Sequence, residues 1–164
     1  MTAYLTRMPA GIPGAVSRQG SGTTIEQNII YTVTPPTLYG VPVAIDPATG
    51  QVRAIKAADT AASVYGMLVR PFPSNSSQSG IGASVPPISG ICDVCKRGYM
   101  NVQVNGATVP AKNGAVYIRT IVGTGAIIGG IEAAADGVNT FVMTGAYFTG
   151  VSDATGIGEI AFNL

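Results

Sequence analysis

Beyond Pro36 the chain is cut into short segments by turn chemistry, and no stretch keeps an apolar period of 3.6 residues long enough for a helix. Residues 40–55 read Gly-Val-Pro-Val-Ala-Ile-Asp-Pro-Ala-Thr-Gly-Gln-Val-Arg-Ala-Ile. Val41, Val43 and Ile45 alternate with smaller residues, as do Val52 and Ala54. Asp46 to Gly50 supplies the turn, with proline presetting φ and glycine accepting a positive one. The spacing predicts a β-hairpin, and Pro42, which lacks a ladder donor, places its strand at an edge or at an irregular start. A helical turn or loop over 57–62 precedes a strand over 64–70, which Pro71 and Pro73 end. Residues 73–90 form a long polar loop without periodicity, suited to a contact with a neighbouring subunit.

Strands are then predicted over 91–95 and 99–104, with Lys-Arg-Gly between them, and Asn105-Gly106 signals a tight hairpin leading back through 107–109. A turn over 110–114 leads to a strand over 115–119. Further strands are read at 131–134, 140–143, 146–148 and 158–164, the last with Ile160, Phe162 and Leu164 on one face. About nine or ten short strands with turns roughly every 8–12 residues define an all-β chain, a small barrel or a jelly-roll-like sandwich. The 22 glycines fit turns and bulges, because they follow no collagen-like period.

Residues 1–34 differ from this body, which spans 35–164. Pro9, Pro13, Gly11, Gly14, Gly20 and Gly22 interrupt them, yet large apolar residues are too frequent for a solvated tail. The segment reads as an extended N-terminal arm that orders on a partner's surface. Tyr4, Leu5, Met8, Ile12 and Val16 are its candidate anchors, and Arg7 and Arg18 are candidates to pair with carboxylates on that partner. The competing reading lets the arm wrap its own barrel.

Charged residues make up only 10% of the chain, a thin complement for a monomer's surface and a sign of burial in an assembly. Net charge is +1 and no basic cluster exceeds Lys96-Arg97, which argues against nucleic-acid binding. No apolar run is long enough to span a bilayer, and prolines and glycines break any signal-peptide core, so no membrane is expected and assembly in the cytoplasm is. Cys92 and Cys95 form a Cys-x-x-Cys pair, but the chain has no histidine and no third cysteine to complete a zinc site, and the flanks read as strand and turn. Two reduced cysteines in a strand are expected. No Ser-x-x-Lys or Gly-x-Ser-x-Gly motif is present, and Asp46, Asp136 and Asp153 sit beside turn residues. No catalytic role, cofactor or metal is predicted.

The opening Met-Thr-Ala-Tyr-Leu-Thr-Arg-Met-Pro-Ala-Gly-Ile-Pro-Gly-Ala-Val-Ser-Arg resembles the start of the tailed-bacteriophage capsid cement (decoration) proteins. Gly-Val-Pro-Val-Ala-Ile-Asp, Thr-Gly-Gln-Val-Arg and Ala-Ala-Asp-Thr-Ala-Ala-Ser-Val-Tyr-Gly-Met-Leu-Val-Arg-Pro extend the likeness to about residue 73. The resemblance implies a β-barrel or jelly-roll on the outer surface of an icosahedral head, a dimer or trimer at a symmetry axis that bridges adjacent major capsid proteins. It also implies that Tyr4 to Arg18 is the capsid-binding segment. Two other readings fit the composition. One is a tail-tube or baseplate component; the other is a glycan- or receptor-binding sandwich, which the absence of tryptophan disfavours.

Overall fold

A computed structural model describes residues 11–71, 85–123 and 125–164. The strands, in chain order, are β1 (Val16–Arg18), β2 (Thr24–Ile29), β3 (Pro42–Ile45), β4 (Val52–Ala54), β5 (Gly66–Leu68), β6 (Ile91–Asn105), β7 (Ala115–Arg119), β8 (Ile131–Glu132), β9 (Thr140–Phe148) and β10 (Ile157–Asn163). Two single 3-10 turns, Ala61–Ser63 and Gly137–Asn139, are the helical elements among the described residues. The chain is all-β, as its turn spacing predicts.

The 15-residue strand β6 organises everything else. Its C-terminal half belongs to a closed five-strand barrel: β10 pairs with β6, β9 with β10, β7 with β9, β8 with β7, and β8 returns to β6 in parallel. Its N-terminal half is flanked by β2 on one side and β5 on the other, and β3 and β4 continue from β5. A parallel bridge from Ile30 to Val52 joins the end of β2 to β4 and closes this second, smaller ring.

The two rings explain a burial pattern that alternation alone does not. In β3, Val43 faces one core and Ala44 the other; Met67 and Leu68 divide likewise in β5, and Val94 and Cys95 in β6. Val43, Val52, Leu68 and Val94 fill the small ring, while Met67, Cys95, Met100, Ile118, Phe148 and Ile160 belong to the large core. Strands covered on both faces read as continuous apolar runs. Hence the sequence Gly-Met-Leu of β5 is buried throughout.

The predicted hairpin at 40–55 forms as β3 and β4, with Val43 opposite Ala54 and Ile45 opposite Val52. Pro42 is the first residue of β3, an internal strand of the sheet, so the irregular start applies and the edge does not. Three expectations fail. Residues 91–95 and 99–104 are one strand, because Gly98, at φ +147°, carries the chain through a bulge opposite Thr24 and Ile25, which pair with Arg97 and Cys95. The Asn105-Gly106 hairpin is absent. Val104 and Asn105 pair in parallel with Ile131 and Glu132, and Val104 donates its N–H to the carbonyl of Gly156 at 2.9 Å. Both flanks of β6 are occupied there, so residues 107–109 have no place beside it. Gly145, at φ +80°, likewise merges 140–143 and 146–148 into β9.

Candidate functional site

The stretch from Gly11 to Ile29 falls within the expected arm, and it lies along one side of β6. Gly14 donates its N–H to the Asn101 carbonyl at 2.8 Å, Asn101 donates to Ala15 at 3.0 Å, and Arg70 donates to Gly14 at 2.8 Å. Gly14 and Gly40 cross back to back: a Cβ on Gly14, at φ +86°, would lie 2.6 Å from the Tyr39 Cβ and 2.9 Å from the Gly40 nitrogen. Only glycine permits that approach. Val16 and Arg18 then pair with Met100 and Tyr99, and the side chain of Val16 packs against the large core.

A carboxylate clamps this segment to the barrel. Glu159 on β10 accepts from Ser17 Oγ at 2.6 Å, from Arg18 Nη2 at 2.6 Å and Nε at 3.2 Å, and from Thr149 Oγ1 at 2.7 Å. The Arg18 guanidinium also lies 4.3 Å from the centroid of the Tyr99 ring. Burial by itself would raise the Glu159 pKa, but the donors from Arg18, Ser17 and Thr149 outweigh it and hold the carboxyl below its ordinary range.

The sequence-predicted anchors therefore divide. Tyr4, Leu5, Arg7 and Met8 lie outside the described residues. Ile12 is half-buried and its carbonyl accepts from Ala15 at 3.1 Å. Val16 is packed against this chain's own core, and the carboxylate that Arg18 meets belongs to this chain. Sequence reasoning misses Glu159, Thr149 and Tyr99, because nothing local marks a residue 141 positions away as the partner of Arg18.

Cys92 and Cys95 are free thiols on β6. Cys92 packs on the small-ring side and Cys95 in the large core, as a three-residue offset in a strand requires, so the two sulfurs do not converge on one point. Burial, with the neighbouring Asp93 charge, pushes the Cys92 thiol up to about 11, and burial raises Cys95 as well. Both are protonated and unreactive at neutral pH.

The acids are mostly spent on architecture. Asp46 accepts from the backbone of Ala48 and Thr49, and Asp153 from that of Thr155 and Ile157, each closing a turn. Asp59 takes both terminal nitrogens of Arg53 at 2.7 and 2.8 Å. Arg119 joins Glu132 and Asp136, the latter at 2.6 Å, which ties the loop after β8 to β7. Glu26 accepts from the Tyr65 hydroxyl. Among the described residues no three His, Cys, Asp or Glu side chains gather as a metal site. A cleft of about 310 Å³ opens between the 19–23 loop and the barrel, lined by Arg18, Arg97, Tyr99, Tyr147, Phe162 and Asn163.

What the surface offers instead is apolar. Ile25, Ile29, Ile88 and Ile91 are 44%, 56%, 74% and 72% exposed around β2 and the start of β6. A sheet body with a stem zipped to its central strand, acids consumed by turns and ion pairs, and isoleucines left in solvent is the layout of a protein that docks. The same fold occurs in a solved virus shell, "The capsid of Myoviridae Phage XM1", with a TM-score of 0.69 at 19% identity over 98% of this chain and 95% of that one. No curated protein sequence matches the chain. The model of the XM1 gp53 minor capsid protein family matches residues 1–162, and the chain belongs to that family. It is a phage capsid-associated structural protein.

Proposed function

We propose that the chain is a cement protein. It sits on the outer surface of the phage head and bridges adjacent major capsid proteins, with its leading residues as the strap. The match of residues 1–162 to a minor capsid protein family carries this reading. The geometry supports it: residues 14–18 are fixed along β6, with Gly14 bonded to Asn101. Tyr4, Leu5 and Met8 are the apolar anchors and Arg7 the charged one. Ile12, Val16 and Arg18 serve as the stem that holds the strap to the barrel.

Each strap buries a small apolar area, at about 25 cal/mol per Å² less the cost of ordering it. Many copies on one shell multiply that modest contact, since every attached neighbour raises the effective concentration of the next site. The division between stem and strap sets the test. Deleting residues 1–10 leaves Val16 and the Glu159 clamp intact, so thermal unfolding stays within a few degrees of the full chain. Pelleting with heads that lack the protein is expected to fall at least tenfold. A truncated chain that decorates heads as well as the full one overturns the assignment.

A further inference from the structure

Two tyrosines flank an alanine on the outer wall of the barrel, and we infer that the cleft they frame binds a hexuronate unit of an acidic polysaccharide. Ala161 on β10 pairs with Tyr99 of β6 on one side and with Tyr147 of β9 on the other. Directly paired residues share a face of the sheet, so the three form one row. The preceding residue, Ile160, pairs with Met100 and Phe148, all fully buried, which puts the tyrosine row on the solvent side. Neighbouring strands lie about 4.8 Å apart, so the two tyrosine backbones stand about 10 Å apart with only the alanine methyl between them. Further along β10, Asn163 pairs with Arg97 on the same face. Arg18, Gln19 and Gly22 complete the rim.

The lining holds two guanidinium groups and no carboxylate, although the whole chain is nearly neutral, with nine basic and eight acidic residues. Arg18 is committed, because Glu159 takes its guanidinium, which also covers one face of Tyr99. Arg97 is exposed and meets no carboxylate among the described residues. A Cβ on Gly22 would stand 4.0 Å from its Nη2, so the loop passes close to the cation without laying a side chain on it. The side-chain amides of Gln19 and Asn163 bond to no other described residue, and Tyr147, 42% exposed, keeps its ring in solvent. A free cation, two free amides and an open ring are the complement of a sugar ring that carries an acid. The guanidinium takes the carboxylate in a two-bond fork. The amides both donate to and accept from hydroxyls. The weakly positive C–H face of the sugar lies on the negative face of the tyrosine ring.

Other carriers of negative charge fit less well. An acidic peptide added as a strand needs an open strand edge, and beside this cleft β6 lies between β10 and the β1–β2 segment, and β10 between β6 and β9. A phosphate group calls for a nest of backbone N–H groups or several cations, and here one cation is uncommitted. At about 310 Å³ the cleft is at the small end of ligand sites, with room for one sugar ring and its substituents. Tryptophan is absent from the chain, and Tyr147 supplies the stacking ring in its place. A ligand of that size at ordinary ligand efficiency binds with a Kd on the order of 1 mM. Many copies on one head, meeting many uronates on one polymer, multiply that affinity. The cleft belongs to the free chain, so this inference stands or falls apart from the cement role and adds to it an affinity for acidic surface polymers.

Amide NMR of the purified full chain, titrated with methyl glucuronide and with methyl galacturonide, tests this without heads. At least one of the two is expected to shift the Gly22 and Gly145 amides, which line the cleft, with a Kd on the order of 1 mM, while Gly50 and Gly106, which do not line it, stay still. Methyl glucoside, the ring without the acid, and an acetylated glutamate amide, the acid without the ring, are each expected to bind at least tenfold more weakly. Arg97→Gln is expected to weaken the uronide at least fivefold and to erase its advantage over the glucoside. Tyr147→Ala is expected to weaken it similarly, and Tyr147→Phe to leave it unchanged. Both positions are exposed, and unmoved amides at Gly50 and Gly106 show that the fold is kept. Cleft glycines that neither uronide shifts at concentrations up to roughly 20 mM, a glutamate amide that binds as well as the uronide, or an Arg97→Gln chain that binds it unchanged overturns the proposal.

Discussion

Glu159 is the residue on which the stem depends, and Glu159→Gln tests that dependence with little change of shape. The carboxylate side chain is 14% exposed and receives Ser17, Thr149 and two nitrogens of Arg18. Arg18 is itself 58% exposed, so solvent screens the pair and its share is about 1 kcal/mol at most. The two hydroxyls lose a charged acceptor, together about another 1 kcal/mol. A loss of about 2 kcal/mol lowers Tm by roughly 4–8 °C in a chain of this length. The sign with pH follows from the lowered Glu159 pKa. A carboxyl depressed in the folded state contributes stability above its unfolded value, near 4.3, and loses it as pH falls through the folded value. Thermal unfolding at fixed protein concentration from pH 7 down to pH 3 should show the two proteins apart at neutral pH and converging in acid. A gap below 1 °C at pH 7, or a gap of several degrees that persists unchanged at the acid end, refutes the clamp.

Two further substitutions probe the body. Arg119→Met leaves Glu132, 6% exposed, without its cation, and should cost about 3–5 kcal/mol in urea unfolding; a loss under 1 kcal/mol removes the network from the account. Gly145→Ala and Gly50→Ala both force alanine to a positive φ, +80° and +69°, at about 1–2 kcal/mol each. At Gly145 the new Cβ also falls 2.5 Å from the Asn163 carbonyl oxygen, whereas nothing lies within 4 Å at Gly50. Calorimetry should therefore rank Gly145→Ala clearly below Gly50→Ala, and equal losses contradict the reading of β9 and β10 as a tight pair.

The class of fold was written locally, while the pairing was not. The 40–55 hairpin is legible because Asp46, Pro47 and Gly50 carry their own turn chemistry, and Ala115–Arg119 is legible because its alternation is intact. The Lys-Arg-Gly break inside β6 misleads because glycine marks a bulge as readily as a turn, and only the partners on either side decide between them. Asn105-Gly106 fails for the related reason that a hairpin needs an empty neighbour, and β8 already holds that place. The stem was hardest to read. Val16–Arg18 is three residues long, too short for any periodicity, and its hold on the barrel comes from Glu159 at the far end of the chain. Arg18 was expected to meet a carboxylate on a partner; the one it meets here is Glu159 of its own chain, a matter of distance in space to which sequence order is blind.

Because both rings are built on β6, load on that strand reaches both of them. Tension arriving through the leading residues meets the hydrogen bonds that β1 and β2 make along β6 side by side, a shear geometry in which several bonds share the strain before any one parts. Yielding there would disturb Val94 on one side and Cys95 on the other together, so neither ring has a way to come apart while the other stays whole. In the cement role proposed above, a shell under outward pressure is restrained by a part that resists as one piece.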